Sequence, residues 1–332
     1  MTHRWEPGAV TGIGSLPGGD AVEAARLVFG ELPDLPHIAE LPARGAGADM
    51  IGRGGALLVD LPVEIVPSGW RLASHDGRDV RHARDLLAWD LDALEAAAER
   101  YAGPLKLQAV GPWTLAAGME LPSGHKVVSD HGAVRDLAES LTEGLRAHLD
   151  EVQRRVPEAR LVLQLDEPSL PAVLAGRVAT PSGYGTVRTV EAPLVEGMLR
   201  DVLAAAGDGG RVVHCCAREV PITLLRDAGA DAISVDVTTL TTSSYDALGE
   251  AVDAGVSLWL GVLPAVDEAV SLDGARDAVL KLWSALGFAR SGAAASVVPT
   301  PACGLAGATP RYVRRVLSLL RDVGASLRDD AG

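Results

Sequence analysis

The chain has 332 residues, 48% hydrophobic and only 4% aromatic, with a formal net charge of -14. Its core must therefore be built from Ala, Val and Leu, and no basic tract offers the clustered Lys and Arg that neutralise phosphates, which excludes nucleic acid as a partner. Three cysteines, two of them adjacent, are no disulfide framework in a chain this long and suit a reducing compartment and metal binding. The stretch Met1 to Pro7 lacks the apolar segment of a signal peptide. No apolar run approaches the roughly 18 residues that span a bilayer, so a cytoplasmic protein without membrane contact is expected.

Val10 to Ser15 reads as a first strand running into a glycine turn, and Gly12 with Gly14 lacks the third glycine of a dinucleotide fingerprint. Asp20 is placed to cap a helix over Ala21 to Phe29. Pro36 to Glu40 is a second short strand, closed by Pro42 and followed by a Gly-rich stretch from Gly45 to Gly55. Leu57 to Leu61 reads as an excursion outside the main sheet. Asp85 to Tyr101 carries Leu86, Leu87, Leu91, Leu94 and Ala98 at helical spacing. Pro104 to Val110 is the third strand, followed by a long loop from Gly118 to Gly132 and a helix over Val134 to Val156. Strands four to eight are expected at Arg160 to Asp166, Arg211 to His214, Ala232 to Val235, Val256 to Val262 and Ala295 to Val298. The helices between them run over Pro193 to Ala206, Val220 to Ala228, Tyr245 to Ala254 and Asp273 to Leu286. Thr309-Pro310 opens the last helix, to Leu327.

Eight continuous apolar strands alternating with helices predict an α/β fold of the (β/α)8 TIM barrel type, a single domain over residues 1–332. In such a barrel the chemistry sits at the C-terminal strand ends. Those ends here carry Ser15, Glu40, Asp166, His214, Cys216, Asp236 and Cys303. His214, Cys216, Asp236 and Cys303 form an N, S, O, S set that suits tetrahedral Zn2+. The competing reading is that the cysteines merely pack as small hydrophobes. A zinc ion among two sulfurs and a carboxylate is electron-rich, better suited to keeping a bound thiol as thiolate than to activating water. Alkyl transfer to a thiol follows that logic.

These motifs, taken in order, resemble the catalytic barrel of cobalamin-independent methionine synthases. Gly12-Ile13-Gly14-Ser15 is similar to the family's Ile-Gly-Ser turn, which contacts the homocysteine carboxylate, and Glu40-Leu41-Pro42 with Asp49-Met50 is similar to its Glu-Pro and Asp-Met segment, whose Glu holds the amino group. Gly111-Pro112-Trp113-Thr114 resembles the Gly-Pro-x-Thr after the third strand. Gln164-Leu165-Asp166-Glu167-Pro168 resembles the motif whose Asp also binds the amino group. His214-Cys215-Cys216 and Ala302-Cys303-Gly304-Leu305 resemble the zinc-ligand motifs, which implies Cys216 rather than Cys215 as ligand. The resemblance implies a zinc-dependent methyltransferase of methionine biosynthesis, acting on homocysteine or a similar small thiol. Gly14, Ser15, Glu40, Trp113 and Asp166 would bind the substrate, with Asp166 also catalytic.

The chain departs from the family pattern in three places. Asp236 stands where the family has a Glu ligand. The family's Asp-x-His after the seventh strand is replaced by Leu260 to Ala265, and no histidine follows His214, so His125 or His131 is the candidate proton donor. The N-terminal barrel of the longer enzymes has no counterpart in these residues, which leaves methyltetrahydrofolate or a methyl-corrinoid protein as methyl donor. Alternatives are a corrinoid-dependent methyltransferase acting on another thiol, a non-catalytic zinc-binding barrel, a uroporphyrinogen decarboxylase-like enzyme and a Schiff-base aldolase using Lys106.

Overall fold

Six of the eight expected strands hydrogen-bond into one curled parallel sheet in chain order. The computed structural model describes residues 4–330; Met1 to His3 of the polar N-terminal stretch lie outside them, as do residues 331 and 332. A small antiparallel hairpin of β1 (Val63–Val66) and β2 (Gly69–Leu72) precedes the sheet. The sheet itself comprises β3 (Pro104–Val110), β4 (Arg160–Asp166), β5 (Gly210–Cys215), β6 (Ala232–Asp236), β7 (Ser257–Leu263) and β8 (Val297–Pro301).

The two faces of this sheet are buried in different ways. Leu107, Leu163, Leu165, Val213, Ile233 and Leu258 belong to the large core shared with the helices. Val162, Val212, Ala232, Trp259 and Val298 form a second core on the concave side with Trp5, Ala9 and Leu35. Trp5 meets Trp259 edge-on, with ring centroids 5.1 Å apart. Burial on both faces is why the strands read as unbroken apolar runs. Because strand side chains alternate, the same concave face carries Lys106 level with Val162, and Gln164, His214 and Ser234 two residues beyond Val162, Val212 and Ala232. Asp166 and Cys216 follow at the C-terminal ends.

The first two expected strands are not regular ladders. The segment from Thr11 to Ser15 donates from Thr11 N to Pro299 O on β8 at 3.4 Å and bridges Glu40 through Leu16 N to Glu40 O at 2.9 Å. His37 bridges Lys106 of β3, with Ile38 N donating to Lys106 O at 3.0 Å. These are isolated bridges where strands were expected. Gly12 and Gly14 supply no side chains to pack, which weakens a strand. A Cβ on Gly12 would lie 2.3 Å from His37 Nε2, so the glycine is there for close approach.

Helices cover the convex face at Ala21–Glu31, Arg78–Ala98, His131–Arg155, Ala192–Leu203, Ile222–Asp227, Tyr245–Asp253, Leu272–Ala285 and Pro310–Asp329. Thr309 caps the last of these, its Oγ1 accepting from Tyr312 N at 3.3 Å. Among the described residues four short helices were not expected: Met50–Leu57, Pro112–Gly118, Leu170–Leu174 and Ala293–Ser296, the last of which takes Ala295 and Ser296 out of the expected eighth strand. The expected loop after Gly118 holds a 3-10 turn at Val127–Ser129 and a bridge between Glu120 and Lys126. Among the described residues no helix is long and apolar enough to cross a membrane.

Candidate metal centre

His214 is the penultimate residue of β5, and Cys216 follows that strand directly. Cys303 follows β8, whose end crosses close over β7. Ala302 N donates to Leu263 O at 2.8 Å, and a Cβ on Gly261 would lie 2.5 Å from Ala302 Cα. Three ligand atoms are thereby gathered, one each from His214, Cys216 and Cys303, all within 4.8 Å of one another. The two sulfurs are 3.3 Å apart. His214 is buried, its Nδ1 is 2.9 Å from Ser234 Oγ, and its Nε2 has no hydrogen-bond partner. A buried, unpartnered ring nitrogen beside two thiols costs free energy unless something occupies it. Imidazole and two sulfurs are the donor set that zinc takes.

The electrostatics point the same way. Hydrogen bonding from Cys216, reinforced by His214, holds the Cys303 thiol well below the usual range, and the same contact pushes Cys216 well up. A cysteine ligates a metal as the thiolate, which these neighbours favour at Cys303. Cys215 points to the other face of β5, and burial pushes its thiol up to about 12.

Asp236 does not join this group. Its Oδ1 accepts from Thr238 N and Thr238 Oγ1, both at 2.8 Å, and so caps its own 3-10 turn. One carbon shorter than a Glu, it is spent on the local backbone, as Asp side chains often are.

Beside the ligands lies a buried polar network. Gln164 Nε2 donates to Asp166 Oδ1 at 2.7 Å and to Ile13 O at 3.0 Å. Lys106 Nζ donates to Gln164 Oε1 and Ile13 O, each at 2.7 Å. Burial pushes the Asp166 carboxyl up, against the nearby His214 charge, and burial pulls the Lys106 ammonium down, against Asp166 and Glu40. Lys106 is thus a buried strut under the Ile13-Gly14-Ser15 turn, with two of its three donors engaged. Ser15 is fixed against the Cys303 loop: Leu305 N donates to Ser15 O at 2.7 Å, and a Cβ on Gly304 would lie 2.0 Å from Ser15 Oγ. Gly14 packs on Gln108, whose Cγ and Cδ would each be 2.8 Å from a Cβ there.

Three interactions here had no single-residue signal in the sequence. Glu167 accepts from Trp113 N (2.9 Å), Thr114 N (2.8 Å) and Thr114 Oγ1 (2.7 Å), tying β4 to the start of helix Pro112–Gly118. Burial pushes Glu167 up to about 7 despite those donors. Arg53 pairs with Glu40 across 3.4 Å. Ser234 orients His214. Trp113 is fully buried, its indole N–H donating to Val195 O at 3.3 Å. His125 sits in an exposed turn, and His131 lines a surface groove with Met198 and Asp201. The structure brings neither to the His214, Cys216 and Cys303 group.

A parallel α/β sheet with a thiol and imidazole cluster at its C-terminal strand ends defines a protein of the strand-end active-site class, with a candidate transition-metal centre. The model of the cobalamin-independent synthase catalytic domain matches residues 9–326. The chain belongs to that family. Among solved structures it is similar to a B12-independent methionine synthase from Shewanella sp. W3-18-1 in complex with selenomethionine, with a TM-score of 0.64 at 13% identity, covering 97% of this chain and 98% of that one. At that identity the likeness shows the fold. A GH5_18 protein from Streptomyces cattleya in complex with GlcNAc matches at a TM-score of 0.46 and 13% identity, over 98% of this chain and 81% of that one, too distantly to bear on the site. No curated protein matches.

Proposed function

We propose that the chain is a zinc-dependent methyltransferase that methylates the thiolate of homocysteine or a closely similar small thiol. The observation that carries this is the unpartnered Nε2 of buried His214 beside two sulfurs 3.3 Å apart. His214, Cys216 and Cys303 would hold the ion, three protein ligands that leave a place for a substrate sulfur. A bound zinc ion would supply the Lewis acidity that keeps an acceptor thiol deprotonated at neutral pH.

The chain's own residues do the rest. Ser234 fixes the His214 ring, as outer partners of ligating histidines do. Ser15, next to the Cys303 loop, faces the acceptor's carboxylate. Asp166, held by Gln164, faces its ammonium group together with Glu40. Transfer forms the sulfur–methyl bond and breaks the donor's nitrogen–methyl bond, whose electron pair stays on nitrogen and takes up a proton. Methyltetrahydrofolate is the donor in this reading. A family described as cobalamin-independent lends no support to a methyl-corrinoid partner.

The bridges of the segments at Ser15 and His37 support an eight-part barrel closed between β8 and β3. A cytoplasmic location suits three reduced cysteines. The test is product analysis. Zinc-loaded protein given homocysteine and methyltetrahydrofolate should form methionine, and Cys303→Ala should form none. Metal-loaded protein that binds no small thiol would reject the reading.

A further inference from the structure

Glu40 is not a free carboxylate. Arg53, from helix Met50–Leu57, reaches back so that its Nε lies 3.4 Å from Glu40 Oε1. Both side chains are largely enclosed, 7% and 12% exposed. A second arm of Arg53 bonds Asp90, which is 1% exposed and also takes Arg44 Nη2 at 2.8 Å. Two arginines thus meet two carboxylates, and the cluster is neutral before any ligand arrives. On the other side of the pocket Lys106 stands near Asp166 through Gln164. Only Glu40 is therefore paired directly with a guanidinium; Asp166 meets Lys106 through the Gln164 amide. Charges this deep are poorly screened, so an incoming ammonium group competes with the resident guanidinium for Glu40.

We propose that Arg53 determines acceptor specificity through Glu40: by neutralising that carboxylate it lowers the site's demand for an ammonium group and admits short mercapto-carboxylic acids that lack one. This rests on the reading of Glu40 as facing the acceptor's amino end. Arg53 touches no reacting atom. The acceptor class it defines is a thiol and a carboxylate separated by a short chain, with the amino group optional.

The experiment is calorimetric binding of homocysteine and of 4-mercaptobutanoate, which has the same chain without the amino group, to the zinc-loaded full chain. The wild type should bind both, with an affinity ratio within about tenfold. On a Glu40→Gln background Arg53→Met should shift that ratio by less than about threefold, since the carboxylate through which Arg53 acts is gone. Arg53→Met should raise the preference for homocysteine by about tenfold or more, and Arg53→Lys should restore the wild-type ratio. Because Arg53→Met leaves Asp90 with one partner fewer, Arg53→Met with Asp90→Asn removes the buried pair together and should show the same rise. The same rise from Arg53→Met on the Glu40→Gln background would overturn the proposal. So would an unchanged or falling ratio in the Arg53 variants, which would mark Arg53 as a mere support. Wild-type protein that binds neither thiol would remove the acceptor reading itself, and this inference with it.

Discussion

His214 Nδ1 lies 2.9 Å from Ser234 Oγ across the β5–β6 ladder, where the two residues are paired in register. That contact turns Nε2 towards the two sulfurs. Loss of an outer partner of a ligating histidine typically costs 10–100-fold in metal affinity. Ser234→Ala should therefore weaken zinc binding by about 10–100-fold in a chelator competition, with Ser234→Thr close to wild type.

The two adjacent cysteines should behave as opposites. Cys216→Ala removes one of the three gathered ligands and should abolish stoichiometric zinc. Cys215→Ala empties a small volume in the core and should keep the metal, at about 1–2 kcal/mol of stability. Metal analysis of the purified variants beside denaturant melts separates the two. Metal loss in Cys215→Ala with retention in Cys216→Ala would reverse the ligand assignment.

Asp236→Asn should retain zinc, because the wild-type carboxylate is engaged by Thr238. His131→Ala should leave turnover within about twofold of wild type, as expected for an exposed residue away from the chemistry. A large loss of metal in the first variant, or of turnover in the second, would show that ligand binding reorganises these loops.

Burial lowers His148 from 6.5 to about 4, with Arg53 adding to the effect, and lowers His37 to about 3, with Lys106 adding. Both groups fold in the neutral form and bind fewer protons folded than unfolded. Their contribution is full above pH 6.5 and is lost as pH falls towards 4 for His148 and 3 for His37. Each should add a slope of about 1.4 kcal/mol per pH unit in that window. Denaturant melts of His148→Leu should show a shallower acid slope than wild type. Identical slopes would mean that His148 is protonated in the folded protein.

Much of this was legible in the sequence, and the exceptions have physical reasons. Strands β3 to β8 announce themselves because burial on both faces leaves β-branched runs ending in polar residues. The longer helices follow from apolar spacing and from caps such as Asp20 and Thr309. Helix Met50–Leu57 was hidden by Gly52, Gly54 and Gly55, which ordinarily argue against a helix. The structure shows that the last two are packing requirements: a Cβ would lie 2.3 Å from Val110 at Gly54 and 2.8 Å from Val63 at Gly55. The ligands were legible one at a time, from residue type and strand-end position. The contact of Ser234 with His214, and the neighbouring pairs Lys106 with Gln164 and Arg53 with Glu40, join residues distant in sequence and had no local signal.

In the proposed arrangement His214, Cys216 and Cys303 hold a zinc ion open to a substrate thiol. X-ray absorption at the zinc edge, on protein purified without added metal and then given homocysteine, tests it most directly. About one zinc per chain is expected, with nitrogen and two sulfurs in its shell and a third sulfur once the thiol is added. Protein that takes up no zinc on reconstitution, or zinc whose sulfur count does not change with homocysteine, would contradict it.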